Sequence, residues 1–173
     1  MFRVRVDEPR ADRTAAAVGP DCAVDANGPS SIDGVFANIP GFTVKRTCPA
    51  DVDPAFAGPQ FDAQFSADGA GDVAQNGEVV LKVFAGQLKS SRGDDFVHGF
   101  LSDLSTAAAP GRTVASEPKQ VGGRQVTYFN VPVAAEGYAY AAGSTVVIAF
   151  DVAGGSHAET AKEAFAKVLD GLH

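Results

Sequence analysis

A stretch of alternating apolar residues near the C-terminal end of the chain constrains the fold most strongly. From Thr145 to Val152 the side chains alternate with a period of two, which is the spacing of the two faces of a β-strand. One face receives Val146, Ile148, Phe150 and Val152. Burying a large apolar side chain contributes roughly 1.5 to 3 kcal/mol, so this face is expected to meet the core.

The partner strand of this hairpin carries two tyrosines whose placement depends on the turn. Tyr138 and Tyr140 share one face of that strand, and residues 141–144 supply the turn. A turn with an even number of residues points both rings away from the Val146 face, whereas an odd number puts them in the core. Gly143 suits the first central position of a two-residue turn, which favours the even turn. The odd turn is the alternative.

An even turn predicts a candidate interaction surface on the sheet face away from the helices. Its members are aromatic and aliphatic side chains of neighbouring strands: Tyr128, Tyr138, Tyr140 and Val147. Exposed aromatic patches usually mark a contact with a protein or a ligand. The competing interpretation is that the N-terminal connector or the segment from Phe61 to Phe65 folds across this face and covers it.

Apolar residues at helical spacing predict two amphipathic helices. The first begins at Asp94, which caps it, and ends before Pro110. Its apolar stripe comprises Phe96, Val97, Phe100, Leu101, Leu104 and Ala108. The second begins with a capping box from Ser156 to Glu159. Its stripe comprises Ala158, Ala161, Phe165, Val168, Leu169 and Leu172, and such a stripe packs on a sheet.

Strands joined by tight turns precede each helix. Asn76-Gly77 marks the entry to a strand over Glu78 to Ala85, while Ser66 to Gly77 is expected to be rich in turns. This order predicts an α+β fold with a mainly antiparallel sheet, both helices packed on one face, and two β-meander-helix halves. Residues 1–31 are expected to form an extended N-terminal arm and connector, and residues 32–173 a single α+β domain.

Composition and motifs argue against several classes of function. The net charge of −7 disfavours a nucleic-acid binder, which needs clustered lysine and arginine. The sequence contains no run of about 18 apolar residues, so no segment is predicted to span a membrane. Nucleophile, zinc and phosphate-loop motifs are missing, so no catalytic, cofactor or metal site is predicted. Asp68 to Asp72 is similar to a calcium loop but lacks the expected ligands, which indicates a flexible acidic loop.

A resemblance to a family rests on several strand-and-turn motifs. These are Asp33-Gly34-Val35, Pro40 to Val44, Val121 to Thr127 and Gly137 to Tyr140, with a middle strand and helix between them. Over roughly residues 32–172 the chain resembles small actinobacterial exported or lipoprotein-type domains of unassigned function. The resemblance implies a location in the cell envelope or outside the cell, and implies no reaction. Gly19 to Cys22 departs from a lipobox, so Cys22 is not expected to carry a lipid.

These observations favour a non-enzymatic binding or scaffolding domain of the cell envelope or extracellular space, with a protein partner. One alternative is a structural subunit of a larger assembly, in which Met1 to Val6 adds a strand to a neighbouring sheet. That alternative fits a cytoplasmic or particle-associated location. The other alternative is a small-molecule carrier with a pocket between sheet and helices.

Cys22 and Cys48 are predicted to form a disulfide. Both occur in proline-flanked segments with loop character, whereas a free cysteine usually lies in apolar surroundings. A bridge would tie the N-terminal connector to the first core strand and contribute roughly 3 to 4 kcal/mol. Thiol titration of the unfolded, unreduced protein should therefore detect no reactive thiol. Two reactive thiols would contradict the disulfide and remove the main sequence argument for export.

Overall fold

The computed structural model describes residues 32, 34–37, 39–90, 92–107, 114–131, 135–152 and 157–172. The strands in these ranges are β1 (Thr43–Thr47), β2 (Phe65–Gln75), β3 (Glu78–Leu88), β4 (Ala115–Val121), β5 (Arg124–Val131), β6 (Ala135–Ala142) and β7 (Thr145–Asp151). The helices are α1 (Pro49–Val52), α2 (Pro59–Asp62), α3 (Gly93–Ala107) and α4 (Ala158–Asp170). None of these helices is long and apolar enough to cross a membrane.

The seven strands join in one antiparallel sheet with the order β1-β2-β3-β7-β6-β5-β4. Two meanders, β1 to β3 and β4 to β7, therefore meet at their last strands. Each meander is followed by a long helix, α3 or α4. The predicted α+β class with a mainly antiparallel sheet is confirmed, together with the order of two β-meander-helix units.

Two-residue turns fix the register of the hairpins. Asn76 and Gly77 connect β2 to β3 with φ angles of 54° and 84°. Gly122 and Gly123 connect β4 to β5 with φ angles of 59° and 79°. Left-handed angles at both central positions match the right-handed twist of the flanking strands and favour glycine and asparagine. The predicted role of Asn76-Gly77 at the entry to β3 is confirmed.

The centre of the sheet is buried on both faces. Val83 of β3 and Val147 of β7 face one side, Phe84 and Ile148 face the other, and all four are 0% exposed. Helix α4 covers the first face and helix α3 covers the second. The prediction that both helices pack on one face is therefore wrong.

The physical reason is that β7 is apolar on both of its faces. The predicted core residues that do face α3 are Val146, Ile148 and Phe150. On the opposite face Val147 and Ala149 are also fully buried. A strand with two apolar faces requires a packed layer on each side of the sheet. Val152, also predicted in the core, follows the end of β7 and is 46% exposed.

The two meander-helix units are not rotational copies of each other. Because β3 and β7 are antiparallel neighbours, the axis of any rotation that superimposes one meander on the other is perpendicular to the sheet. Such a rotation keeps each face of the sheet on its own side. Helices on opposite faces cannot be related by it, so the two units share an order of elements and not a common symmetry.

Strand β2 replaces the turns predicted from Ser66 to Gly77. Asp68 to Asp72, predicted to be a flexible acidic loop, lies inside β2 and pairs with β3, and its first four residues are buried. Gly69 and Gly71 make room for the ring of Phe36, since an added Cβ at either position would lie 3.0 Å from that ring. These glycines allow close packing inside a strand. In the sequence alone, the same glycines indicate turns.

The beginnings of several elements differ from prediction. The segment from Phe61 to Phe65 starts in α2 and enters β2 at Phe65. Asp94 is the second residue of α3 and not its cap; a carboxylate there still stabilises the positive end of the helix dipole. Helix α4 follows His157, and the predicted cap Ser156 lies outside the described residues.

Some predictions concern residues that the structure does not describe. Residues 1–31, including Cys22 and the predicted arm, lie outside the described ranges, as do Pro110 and Gly111. Cys48 is half-buried and immediately precedes α1. The disulfide and the boundary at residue 31 therefore stay predictions.

Gly137 of β6 is expected to tolerate no side chain. An added Cβ would collide with the carbonyl oxygen of Ala149 on β7 and lie 2.9 Å from the ring of Phe129 on β5. Gly137→Ala would have to push neighbouring strands apart, which should lower the free energy of unfolding by about 1 to 3 kcal/mol. Urea unfolding followed by circular dichroism measures this change.

Gly99→Ala is the matched control for this substitution. Gly99 lies inside α3, where an added Cβ would meet nothing within 4 Å. Alanine has a higher helix propensity than glycine, so this change should raise the free energy of unfolding by about 0.5 to 1 kcal/mol. Losses of equal size at both positions would contradict the packing described for Gly137.

Candidate functional site

The predicted tyrosine surface has the expected register but not the expected exposure. Gly143 and Ser144 form a two-residue turn, and Tyr140 lies opposite Val147 in the hairpin. The even turn is therefore confirmed. Gly143 has a φ angle of 59°, as its position in the turn requires.

Helix α4 covers most of the face that carries the tyrosines. Tyr138 is 6% exposed and Val147 is 0% exposed. The rings of Tyr138 and Phe165 are stacked with centroids 5.2 Å apart and planes inclined by 17°. Tyr128 and Tyr140 are half-buried against the same core. The inference of an exposed patch is therefore wrong for Tyr138 and Val147, and the cover is α4, not the connector or the segment from Phe61 to Phe65.

A polar network surrounds the half-buried ring of Tyr128. Its hydroxyl donates to Oε2 of Glu136 at 2.5 Å, and Nδ2 of Asn130 donates to the same oxygen at 3.1 Å. The ammonium group of Lys119 lies 4.0 Å from the centroid of the Tyr128 ring. The hydrogen bond to Glu136, together with burial, raises the pKa of Tyr128. A phenol with a raised pKa is a poor general base near neutral pH, so we interpret this network as a lock between β5 and β6.

Within the described ranges, the other candidates for chemistry do not come together in a site. Among the described residues, no group of three or more histidine, cysteine, aspartate or glutamate side chains could hold a metal ion. His98 is exposed on α3, and His157 precedes α4. Asp72 of β2 forms an ion pair with Lys82 of β3 at 3.1 Å, which links two strands.

A concave site lies between α3 and the segment from Asp53 to Gln64. We call it the phenylalanine groove. It has a volume of about 480 Å³, and its apolar lining is formed chiefly by Phe56, Phe61, Phe96 and Phe100. Phe56 contacts Phe61 and Phe100 with ring centroids 5.2 Å and 5.7 Å apart. Phe56, Phe61 and Phe100 are buried in the α3-side core, and the half-buried Phe96 packs against it, so only the edges of these rings face the groove.

The start of α3 is attached to the β6–β7 hairpin, which positions one wall of the groove. The amide of Gly93 donates to the carbonyl oxygen of Gly143 at 2.8 Å. An added Cβ at Gly93 would lie 2.8 Å from the same oxygen, so only glycine fits this contact without a shift. Val97 and Phe100 then pack α3 onto the sheet, and Phe96 and Leu104 flank the groove.

Carboxylates and amides surround the phenylalanine groove. They belong to Asp53, Gln60, Gln64, Asp95 and Asp103. Oδ1 of Asp53 accepts the amide proton of Ala55 at 2.9 Å, which fixes the turn between α1 and α2. Asp95 forms an exposed ion pair with Arg92 at 3.3 Å. The described residues that line the groove include three aspartates and no lysine or arginine.

Gly99 opens the phenylalanine groove at the middle of α3. An added Cβ there would meet no atom of the described residues within 4 Å, so none of these residues requires a glycine at this position. A glycine inside a helix costs about 1 kcal/mol relative to alanine. Because the structure supplies no packing reason for this cost, we interpret Gly99 as a gap in the wall of the groove.

A second depression of about 520 Å³ lies on the other side of α3. It separates His98 and Leu101 from strands β4 to β6. Its strand wall is largely polar and includes Ser116, Glu117, Gln125 and Thr127. An apolar floor contributes most of the affinity of a typical binding site, so the phenylalanine groove is the stronger candidate.

No protein-family model, curated protein or solved structure matches this chain. The resemblance to exported actinobacterial domains therefore stays an expectation from sequence. The candidate site rests on the geometry of the described residues.

The raised pKa of Tyr138 predicts that the folded protein loses stability at alkaline pH. Burial, with the negative charge of Asp151 nearby, raises its pKa to about 12 from an ordinary value of 10.0. The native state then holds this proton more tightly than the unfolded chain. The stabilisation is complete below pH 10.0 and is lost as the pH rises to about 12.

The free energy of unfolding should therefore fall more steeply between these pH values for the wild type than for Tyr138→Phe. Urea unfolding of both proteins at a series of pH values measures the difference. Parallel pH dependences would mean that the phenol of Tyr138 titrates normally in the folded protein.

Proposed function

We propose that this protein is a non-enzymatic binding domain and that its phenylalanine groove takes a positively charged, amphipathic segment of a partner protein. The observation that carries the proposal is an apolar floor, formed by the edges of largely buried phenylalanine rings, beneath a rim whose charged groups, among the described residues, are aspartates. Apolar side chains of a partner gain free energy by leaving water for this floor. The aspartates favour a partner of opposite charge.

The charge of the whole chain supports a cationic partner. The net charge at pH 7 is −7, so the field around the protein has the same sign as the rim. Complementary charge raises association rates and disfavours partners of like charge more than it raises affinity. Binding through this surface should therefore weaken as salt screens the exposed aspartates.

The exposure of the groove favours a protein segment over a small molecule. Gln60, Gln64, Gly99 and Asp103 are exposed, so the groove follows the surface along α3. Pockets for small molecules usually enclose most of the ligand surface. A groove beside a helix is instead a common way to take an amphipathic segment. The carrier alternative is thus less well supported.

We also propose a location in the cell envelope or outside the cell. The predicted disulfide between Cys22 and Cys48 and the resemblance to exported domains support it. The structural-subunit alternative depends on residues 1–31, which lie outside the described ranges.

Filling the groove should weaken binding without disturbing the fold. Gly99→Leu places a large side chain in the open space beside Phe96 and Phe100. We expect its affinity for a synthetic amphipathic peptide of lysine and leucine to fall at least about tenfold, which is roughly 1.4 kcal/mol. Isothermal titration calorimetry with the full-length protein measures the dissociation constant.

Ser102→Leu is the matched control. Ser102 is exposed on α3 and lines neither depression, so the same added side chain should leave the affinity unchanged. Circular dichroism establishes that both variants keep the native helix content. No binding to the wild-type protein, or equal losses in both variants, would refute the proposed function.

A further inference from the structure

We infer that the segment bound by the phenylalanine groove is an α-helix in which a large apolar residue is flanked, one turn away on each side, by lysine or arginine. This inference rests on the proposed function and specifies its partner. It follows from the order of three residues on α3 and from the nature of the groove walls.

Asp95, Gly99 and Asp103 form one row along the surface of α3. They are spaced at i, i+4 and i+8, and all three are exposed and line the groove. With a rise of 1.5 Å per residue, each carboxylate lies about 6 Å along the helix axis from the glycine. The wall of the groove therefore presents a gap with a negative charge one turn before it and one turn after it.

The gap matches a single large apolar side chain. Rows at i, i+4 and i+8 are the ridges through which helices interdigitate, and Gly99 removes the middle side chain of this ridge. Of the two neighbours of the gap on the groove side, Phe100 is buried in the α3-side core and Phe96 is half-buried against it. A leucine or phenylalanine from a partner would enter the space beside Gly99 and contact these rings.

The walls of the groove favour a helical partner over an extended one. In the part of the chain that the structure describes, the lining residues belong to α3, to α2 and to the connections around α2, and none belongs to a strand. An extended peptide would thus find no strand edge to pair with, whereas a helix satisfies its own backbone hydrogen bonds. A helix running along α3 repeats the same spacing, so its cations reach Asp95 and Asp103 when its apolar residue faces Gly99.

Arg92 competes with the partner for one of these carboxylates. Its Nε lies 3.3 Å from Oδ2 of Asp95, and the two side chains are 70% and 66% exposed. An ion pair of this kind is worth little, so a partner cation displaces it at small cost. Removing the charge of Arg92 should therefore strengthen binding. A gain in affinity cannot be caused by misfolding.

The spacing is tested with three synthetic peptides of the same length and net charge. The first places lysines at i and i+8 around a leucine at i+4 in an amphipathic helix. The second moves both lysines to the opposite face of that helix. The third places lysines at i and i+4 around a leucine at i+2 in a sequence that contains proline and cannot form a helix. Four extended residues span about the same distance as eight helical ones.

We expect the first peptide to bind the full-length protein at least about tenfold more tightly than the other two in calorimetry. Its helix content should rise on binding, as followed by circular dichroism. If the three peptides bind equally, the groove takes cationic segments without the inferred geometry, and this inference is overturned while the proposed function stands. Tighter binding of the third peptide overturns it in favour of an extended partner. If none of the three binds, the proposed function itself fails.

Charge variants test the two carboxylates separately. Arg92→Gln should raise the affinity for the first peptide about two- to fivefold, and Asp103→Asn should lower it by a similar factor, as expected for exposed ion pairs. Asp62→Asn is the control, because Asp62 is exposed on α2 and does not line the groove. Equal effects of Asp103→Asn and Asp62→Asn would show that only the overall charge matters and would overturn the assigned contacts.

Discussion

The pairing of β3 with β7 is the interaction on which the rest of the structure depends. These strands come from different meanders, and their contact joins the two units into one sheet. Both strands are apolar on both faces, so the sheet must be covered twice. A single helical layer would leave either Phe84 and Ile148 or Val83 and Val147 in water. The two long helices therefore lie on opposite faces, and each face acquires its own core.

The two cores differ in ways that determine where a binding site can form. On the α4 side, Phe165 stacks on Tyr138 and the helix covers the face tightly. On the α3 side, eight of the twelve phenylalanines take part in the core, and two of them, Phe56 and Phe61, come from outside the sheet and α3. Bulky rings from a short connecting segment meet the helix without closing the space beside Gly99. The groove thus follows from how the second layer is completed.

Local patterns predicted a good part of the fold. The parity of the β6–β7 hairpin followed from Gly143, and the entry to β3 followed from Asn76-Gly77, because turn chemistry and side-chain alternation are local properties. Strand β2 was missed because its glycines accommodate the ring of Phe36, a contact distant in sequence. The prediction that Tyr138 is exposed is wrong for a related reason. Alternation tells which residues share a face, but not which helix will cover it.

The candidate groove was not predicted because it combines two segments about 40 residues apart. The apolar stripe of α3 was recognised from Phe96, Phe100 and Leu104, but a stripe that packs on a sheet does not show which of its edges stays open. The local sequence feature that points to the groove is Gly99, a glycine inside a predicted helix. That signal has meaning only once the space around the residue is known.

The most direct test of the binding site is a map of amide chemical-shift changes on titration with the helical peptide of matching spacing. The largest changes should fall in the segment from Asp53 to Gln64 and along α3 from Asp95 to Ala107, the two walls of the groove. The strands around Tyr128 and Tyr138 should change little. Changes centred on those tyrosines or on α4, with the groove unaffected, would contradict this account.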